Sequence, residues 1–144
     1  MGTDPNHAIK NITAKDVLVD DVITAVEGDK IREIESIMIK KGIGGVPVIR
    51  EESSRTKVVG MLTQRDIVLA KASLSIGGMT VKELMSHNVV TVTEDAKLPD
   101  ILKIMKINNI ARIPVVDDKD SLVGMIVHKN ILIRILEVLE KSSG

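Results

Sequence analysis

The chain has 144 residues, with 20 basic and 20 acidic side chains, no cysteine, and no phenylalanine, tyrosine or tryptophan. Zero net charge, balanced locally as 11 of each sign in residues 1–72 and 9 of each in 73–144, excludes the basic face that duplex nucleic acid requires, and the missing rings exclude aromatic stacking on single strands. Without cysteine there is no disulfide or thiolate site, and no stretch reaches the roughly 18 apolar residues of a membrane span; a cytoplasmic protein is expected.

Residues 1–9 read as a flexible leader. Val22 to Val26 is a short β-branched run, and Ile31, Ile34, Ile37 and Met38 recur at helical spacing on one apolar stripe, closed by Gly42. Val46-Pro47-Val48-Ile49 and Val58 to Leu62 are apolar runs too short for helices and separated by a polar loop, which predicts paired strands. A helix from about Gln64 to Leu74 follows. The pattern then recurs: a strand over Val89 to Thr93, a helix near Ala96 to Ile107 with Pro99 in its first turn, strands at Arg112 to Val116 and Leu122 to Val127, and a final helix from His128 to about Glu140.

The recurrence is a true internal repeat. Residues 13–49 align with 80–116 at an offset of 67, pairing Thr13 with Thr80, Thr24 with Thr91 and Pro47 with Pro114. After a longer loop in the first copy, Val59-Gly60-Met61 matches Val123-Gly124-Met125 at an offset of 64. The copies are assigned to 10–75 and 76–141. Each is small enough to bury too little apolar surface alone, so the two are expected to share a core. The last helix, with Ile131, Leu132, Ile133, Ile135, Leu136, Val138 and Leu139, is apolar around most of its circumference, and a homodimer is expected.

Two strand-helix-strand-strand-helix units, each with an apolar-Pro-Val strand (GGVPVI and ARIPVV) followed by a Val-Gly-Met strand and a closing helix, resemble a tandem pair of CBS domains, or Bateman module. The resemblance covers essentially all of residues 10–140. It implies an α/β fold of two β-α-β-β-α repeats packed with pseudo-twofold symmetry. It also implies an adenosine-containing ligand, such as AMP, ADP, ATP or S-adenosylmethionine, bound between the copies.

The family's ribose-phosphate signature is matched at every position by GMLTQRD, residues 60–66. The resemblance makes Asp66 the acceptor of ribose hydroxyls and turns Thr63 and the helix N-terminus toward a phosphate. Read without a ligand, Thr63-x-x-Asp66 is a capping box that satisfies the first amides of a helix. The second copy reads GMIVHKN at 124–130, where Val127 has lost the hydroxyl and Asn130 keeps an amide. By resemblance the principal nucleotide site comprises Thr63, Asp66, Thr91, Ile110, Ala111, Arg112, Ile113, Pro114 and Lys129, with Arg112 and Lys129 near phosphates and aliphatic walls around the base. A weaker second cleft comprises Thr24, Gly44, Gly45, Pro47 and Asn130, although Gly44 and Gly45 serve equally to turn the chain into its strand.

His7, His87 and His128 have no metal-binding spacing, and no serine or threonine has a base and an orienting partner in reach, so neither a metal site nor a catalytic group is expected. The expected function is a non-enzymatic regulatory sensor with no required cofactor, taking an adenine nucleotide as regulatory ligand and acting on an unidentified protein. The alternative is a ligand-free scaffold or dimerisation module. No nucleic acid or membrane partner is expected.

Overall fold

The structure, a computed structural model, describes residues 4–143. In chain order its elements are α1 (Pro5–Lys10), α2 (Ala14–Val17), α3 (Ile31–Lys41), β1 (Gly45–Glu52), β2 (Arg55–Thr63), α4 (Gln64–Ser73), α5 (Val81–Leu84), β3 (Val92–Thr93), α6 (Leu98–Asn108), β4 (Arg112–Val116), β5 (Leu122–Val127) and α7 (His128–Ser143). They form two packing units, one of residues 22–89 and one that joins the residues up to 21 with those from 90 onward.

In the 22–89 unit, β1 and β2 form an antiparallel hairpin with Gly45 opposite Thr63 and Glu52 opposite Arg55. Ser53 and Ser54 turn it with positive φ of 44° and 70°. Two isolated bridges widen this pair: Ala25 lies parallel to Val48, and Ser86 lies antiparallel to Met61. Helix α3 buries Ile31, Ile34 and Met38 against Val46, Val48, Leu62 and Ile67. Ile37, expected on that stripe, is instead 38% exposed, because the 100° step per residue carries it to the edge of the buried face. Gly42 ends α3 at φ 66°, a left-handed conformation open to glycine without strain.

The second unit repeats this plan with its own residues. Strand β3 lies parallel to β4, β4 lies antiparallel to β5 with Arg112 opposite Val127, and Val19 bridges Met125 where Ser86 bridges Met61 in the other unit. Its core gathers Leu98, Ile101, Ile113, Val115, Ile126 and Ile131 with Ile12, Ala14 and Val17 from the start of the chain. Asn109 closes α6 in the left-handed conformation that Gly42 adopts after α3.

The packing units therefore differ from the sequence copies. The leading segment of the first copy, with α2, packs in the unit of the second, and the leading segment of the second copy, with α5, packs in the unit of the first.

Three local expectations change. Pro5–Lys10 is a helix rather than part of an irregular leader: Asp4 caps it by accepting from the Asn6 amide at 3.0 Å, Pro5 occupies its first turn, and Ile9 packs on the core. Met1 to Thr3 of that expected leader lie outside the described residues. The strand expected over Val22 to Val26 reduces to the single Ala25 bridge, and the strand over Val89 to Thr93 to its last two residues. Helices α2 and α5, four residues each, are too short to show periodicity, although Thr13-x-x-Asp16 and Thr80-x-x-Glu83 cap them.

Candidate functional site

Strand β2 ends at Thr63, and α4 starts at the next residue, so the GMLTQRD motif spans a strand-to-helix junction. The capping box is formed there. The Thr63 amide and hydroxyl both donate to Asp66 Oδ2, at 3.0 and 2.8 Å, and the Asp66 amide donates to Thr63 Oγ1 at 3.2 Å. In the comparable boxes at Thr13–Asp16 and Thr80–Glu83 the threonines are half-buried and the acids exposed, whereas here both Thr63 and Asp66 are half-buried. A cap alone therefore does not mark a ligand site.

Two details characterise the box, and the other two boxes share the use of a single carboxylate oxygen. All of the carboxylate's protein hydrogen bonds go to Oδ2, so Oδ1 is left without a protein donor among the described residues. The single hydroxyl proton of Thr63 is directed to Asp66 and its oxygen receives the Asp66 amide. Thr63 thus positions the carboxylate, and the phosphate-facing donor expected of it is occupied within the box.

The turn entering β1 lies beside this junction. The Gln64 amide donates to the Gly44 carbonyl at 2.9 Å, and Gly45 is paired with Thr63. Gln64 Nε2 donates to the Ile43 carbonyl at 3.1 Å, a stitching role that sequence reasoning missed although the residue lies within the motif. The Ala25 amide donates to the Pro47 carbonyl at 3.0 Å, which brings Thr24 to the same strand. Thr24, Gly44, Gly45, Pro47, Thr63 and Asp66 consequently belong to one unit. Of these, the sequence resemblance assigns Thr63 and Asp66 to the principal cleft, and Thr24, Gly44, Gly45 and Pro47 to the weaker one.

The remaining candidates, Thr91, Ile110, Ala111, Arg112, Ile113, Pro114, Lys129 and Asn130, belong to the other unit. The His128 amide donates to the Ala111 carbonyl at 3.0 Å, the counterpart of Gln64 and Gly44. Thr91, Ile110, Ala111, Arg112 and Asn130 are half-buried, and Lys129 is exposed. Ile113, expected as a wall for a base, is 0% exposed and lies in the core: strand alternation turns it to the opposite face from Arg112 and Pro114. Arg112 pairs with no carboxylate among the described residues, and its burial pulls the guanidinium below its usual pKa. No group of three metal-ligating side chains is present among the described residues, and no helix there is long and apolar enough to cross a membrane.

The fold and its two equivalent strand-to-helix junctions define a tandem CBS-domain protein. The family model for the CBS domain matches residues 14–73 and 81–137, and the chain belongs to that family. It is similar to inosine-5'-monophosphate dehydrogenase of Methanocaldococcus jannaschii, 34% identical over 84% of this chain but only 23% of the enzyme. It is also similar to L-aspartate semialdehyde sulfurtransferase of that organism, 35% identical over 91% of this chain and 25% of the enzyme. The chain thus spans about a quarter of each of these relatives. Among solved structures it resembles the CBS domain pair of protein MJ0100, in complex with 5'-methylthioadenosine and S-adenosyl-L-methionine, with a TM-score of 0.75 and 32% identity covering 88% of this chain and 96% of that one. It also resembles protein MJ1225 of Methanocaldococcus jannaschii, described as a putative archaeal homolog of g-AMPK, with a TM-score of 0.79 and 27% identity over 90% of this chain and 50% of that one.

Proposed function

We propose that this protein is a non-enzymatic regulatory module that binds an adenosine-containing ligand, with Asp66 holding the ribose. The observation that carries the reading is the placement of Asp66: unlike the exposed acids of the other two boxes it is half-buried, within the matched signature, and its Oδ2 anchors the helix cap while its Oδ1 has no protein donor among the described residues. Vicinal hydroxyls supply the donors that Oδ1 lacks. The MJ0100 domain pair, similar over 88% of this chain, is described with two adenosine-containing molecules, which supports the same ligand class here. A ligand of this kind regulates by binding two conformations with different affinity, so a conformational or partner response accompanies binding.

Calorimetric titration of the whole chain with S-adenosylmethionine, 5'-methylthioadenosine, AMP and ATP tests the reading. Asp66→Ala is expected to cost only about 1 kcal/mol of stability, the value of a cap. It should weaken at least one adenosine ligand by about tenfold or more, as expected on losing a charged hydrogen bond. Unchanged affinity with reduced stability would leave Asp66 as a cap alone, and a bound nucleotide that is consumed would overturn the non-enzymatic assignment.

The reading also includes a cytoplasmic homodimer that acts on a separate protein. Self-association is favoured by the exposed apolar side chains of α7, Leu132, Ile133, Leu136 and Leu139, at 62%, 46%, 55% and 44% exposure. Leu136→Glu is expected to shift the sedimentation coefficient from a dimer's to a monomer's without changing the melting profile of the separated chain. An unchanged dimer would place the interface elsewhere.

A further inference from the structure

Helix α1 is attached to its unit far more loosely than the residues that follow it. None of its residues is buried, and its one large apolar side chain, Ile9, packs half-buried at the margin of the core. The Asp4 and Asn11 side chains bond within the helix and its caps. Beyond them, Lys97 Nζ donates to Asn11 Oδ1 at 3.0 Å, a bond between exposed residues. The character changes at the next residue. Ile12 and Ala14 are 3% and 0% exposed, and the Leu98 amide donates to the Ile12 carbonyl and the Ala14 amide to the Ala96 carbonyl, both at 2.8 Å. A helix of six residues is not stable by itself, so α1 melts when it leaves the unit, with the break at Asn11. Local opening of such an end requires far less free energy than unfolding the unit.

Helix α1 rests on the seam between α6 and α7. Ile104 of α6 and Ile135 and Val138 of α7 are half-buried at the same core margin as Ile9. On α7, Ile135 lies three residues from Leu132 and Val138 and four from Leu139, so these side chains adjoin on the helix surface. Leu132 and Leu139 are exposed, and the bare apolar strip of α7 therefore runs directly into the seam. The other unit has no cover of this kind. Ile76, the counterpart of Ile9 at the offset of 67, lies in the loop between α4 and α5, both of which pack in the same unit.

Resting on the reading above that α7 mediates self-association, we propose that α1 is a displaceable cover on that surface and that a second copy of the chain competes with it. With α1 docked, two copies meet over the exposed strip alone. With α1 released, Ile104, Ile135 and Val138 join the contact. The occupant is a second copy because the seam continues the strip already assigned to the dimer, and copies that meet through the same patch each release their own α1. The two states bind a second copy with different affinity, so release of α1 and dimerisation favour each other by the same factor.

The test compares the full chain with Ile9→Ser, which undocks α1, and Ile9→Leu, which keeps its apolar contact. Sedimentation equilibrium over a dilution series should give a dimer dissociation constant about tenfold or more lower for Ile9→Ser than for the parent, because the competent fraction rises in both copies. Ile9→Leu should stay within about twofold of the parent. Hydrogen exchange at the α1 amides should speed up as the parent is concentrated from monomer to dimer. The proposal is overturned if Ile9→Ser dimerises no more tightly than the parent, or if α1 becomes better protected in the dimer, which would make it part of the interface. Protection of the β4 and β5 amides, expected at the parent's level in Ile9→Ser, separates undocking from unfolding of the unit. Adding Leu136→Glu to Ile9→Ser should return the chain to monomer. A dimer that persists there, or a parent and an Ile9→Ser chain that are both monomeric at every concentration, would instead refute the self-association reading itself.

Discussion

Removal of residues 1–19 is expected to unfold the unit that contains β3, β4 and β5. That segment places Ile12, Ala14 and Val17 in the unit's core at 3%, 0% and 5% exposure. Burying Ile12 and Val17 is worth about 1.5–3 kcal/mol each. The deletion also breaks backbone hydrogen bonds from Ala14 to Ala96, from Leu98 to Ile12, and in both directions between Val19 and Met125. Each contributes roughly 0.5–1.5 kcal/mol. The combined loss is comparable with the whole stability of an ordinary domain, about 5–15 kcal/mol. Hydrogen exchange should show protection lost across β4 and β5. A cut after residue 10 removes α1 but keeps Ile12 to Val19, and should cost only about 1–3 kcal/mol, the scale of Ile9 packing. Equal stability of the parent and the 1–19 deletion in denaturant titration would show that the segment is dispensable.

Gly60→Val should be the most damaging single substitution in the ligand signature, for a reason unrelated to ligand. A Cβ at Gly60 would stand 2.6 Å from Met85 Sδ and 2.9 Å from the Ser86 carbonyl oxygen. The sulfur can rotate away, but the carbonyl is held by the reciprocal Met61 and Ser86 backbone hydrogen bonds at 3.0 and 2.8 Å. Overpacking of this kind costs about 1–3 kcal/mol, and the branched valine places it at the upper end. Gly124 meets Leu18 Cδ1 at 2.7 Å and the Val19 carbonyl at 2.8 Å, so Gly124→Val should behave alike. Gly28→Ala is the control: nothing lies within 4 Å of the added carbon, and a change within about 0.5 kcal/mol is expected. Matching denaturation midpoints for Gly60→Val and the parent would refute the close approach.

The glycine of the motif is thus required by packing, while Asp66 is proposed to serve both the helix cap and a ligand. That distinction could not be read from residues 60–66. The sequence pattern did show the paired strands at Val46 to Ile49 and Val58 to Leu62, the helices beginning at Ile31 and Gln64, and their second copies, because apolar period and cap residues are written locally. It also showed the Thr-x-x-acid boxes, yet it could not tell that the acid is half-buried at Asp66 and exposed at Asp16 and Glu83. The run at Val22 to Val26 misled, since its β-branched residues match a strand while only Ala25 finds a partner. Ile113 misled for a related reason: its apolar character suits either a ligand wall or a core, and the pleat of β4 decides for the core.

The amino-acid order alone established that the chain is doubled, that each copy ends in a strand-to-helix junction, and that the junctions differ at Gly45 and Arg112, Thr63 and Val127, and Asp66 and Asn130. Tertiary structure decided which segments belong together. Val19 pairs with Met125 and Ser86 with Met61, so the leading segment of each copy completes the unit of the other, and the candidate site residues divide accordingly. Backbone hydrogen bonds between distant segments impose no side-chain period and little residue preference; their trace here is a glycine at 60 and at 124, where a carbonyl comes too close for any Cβ.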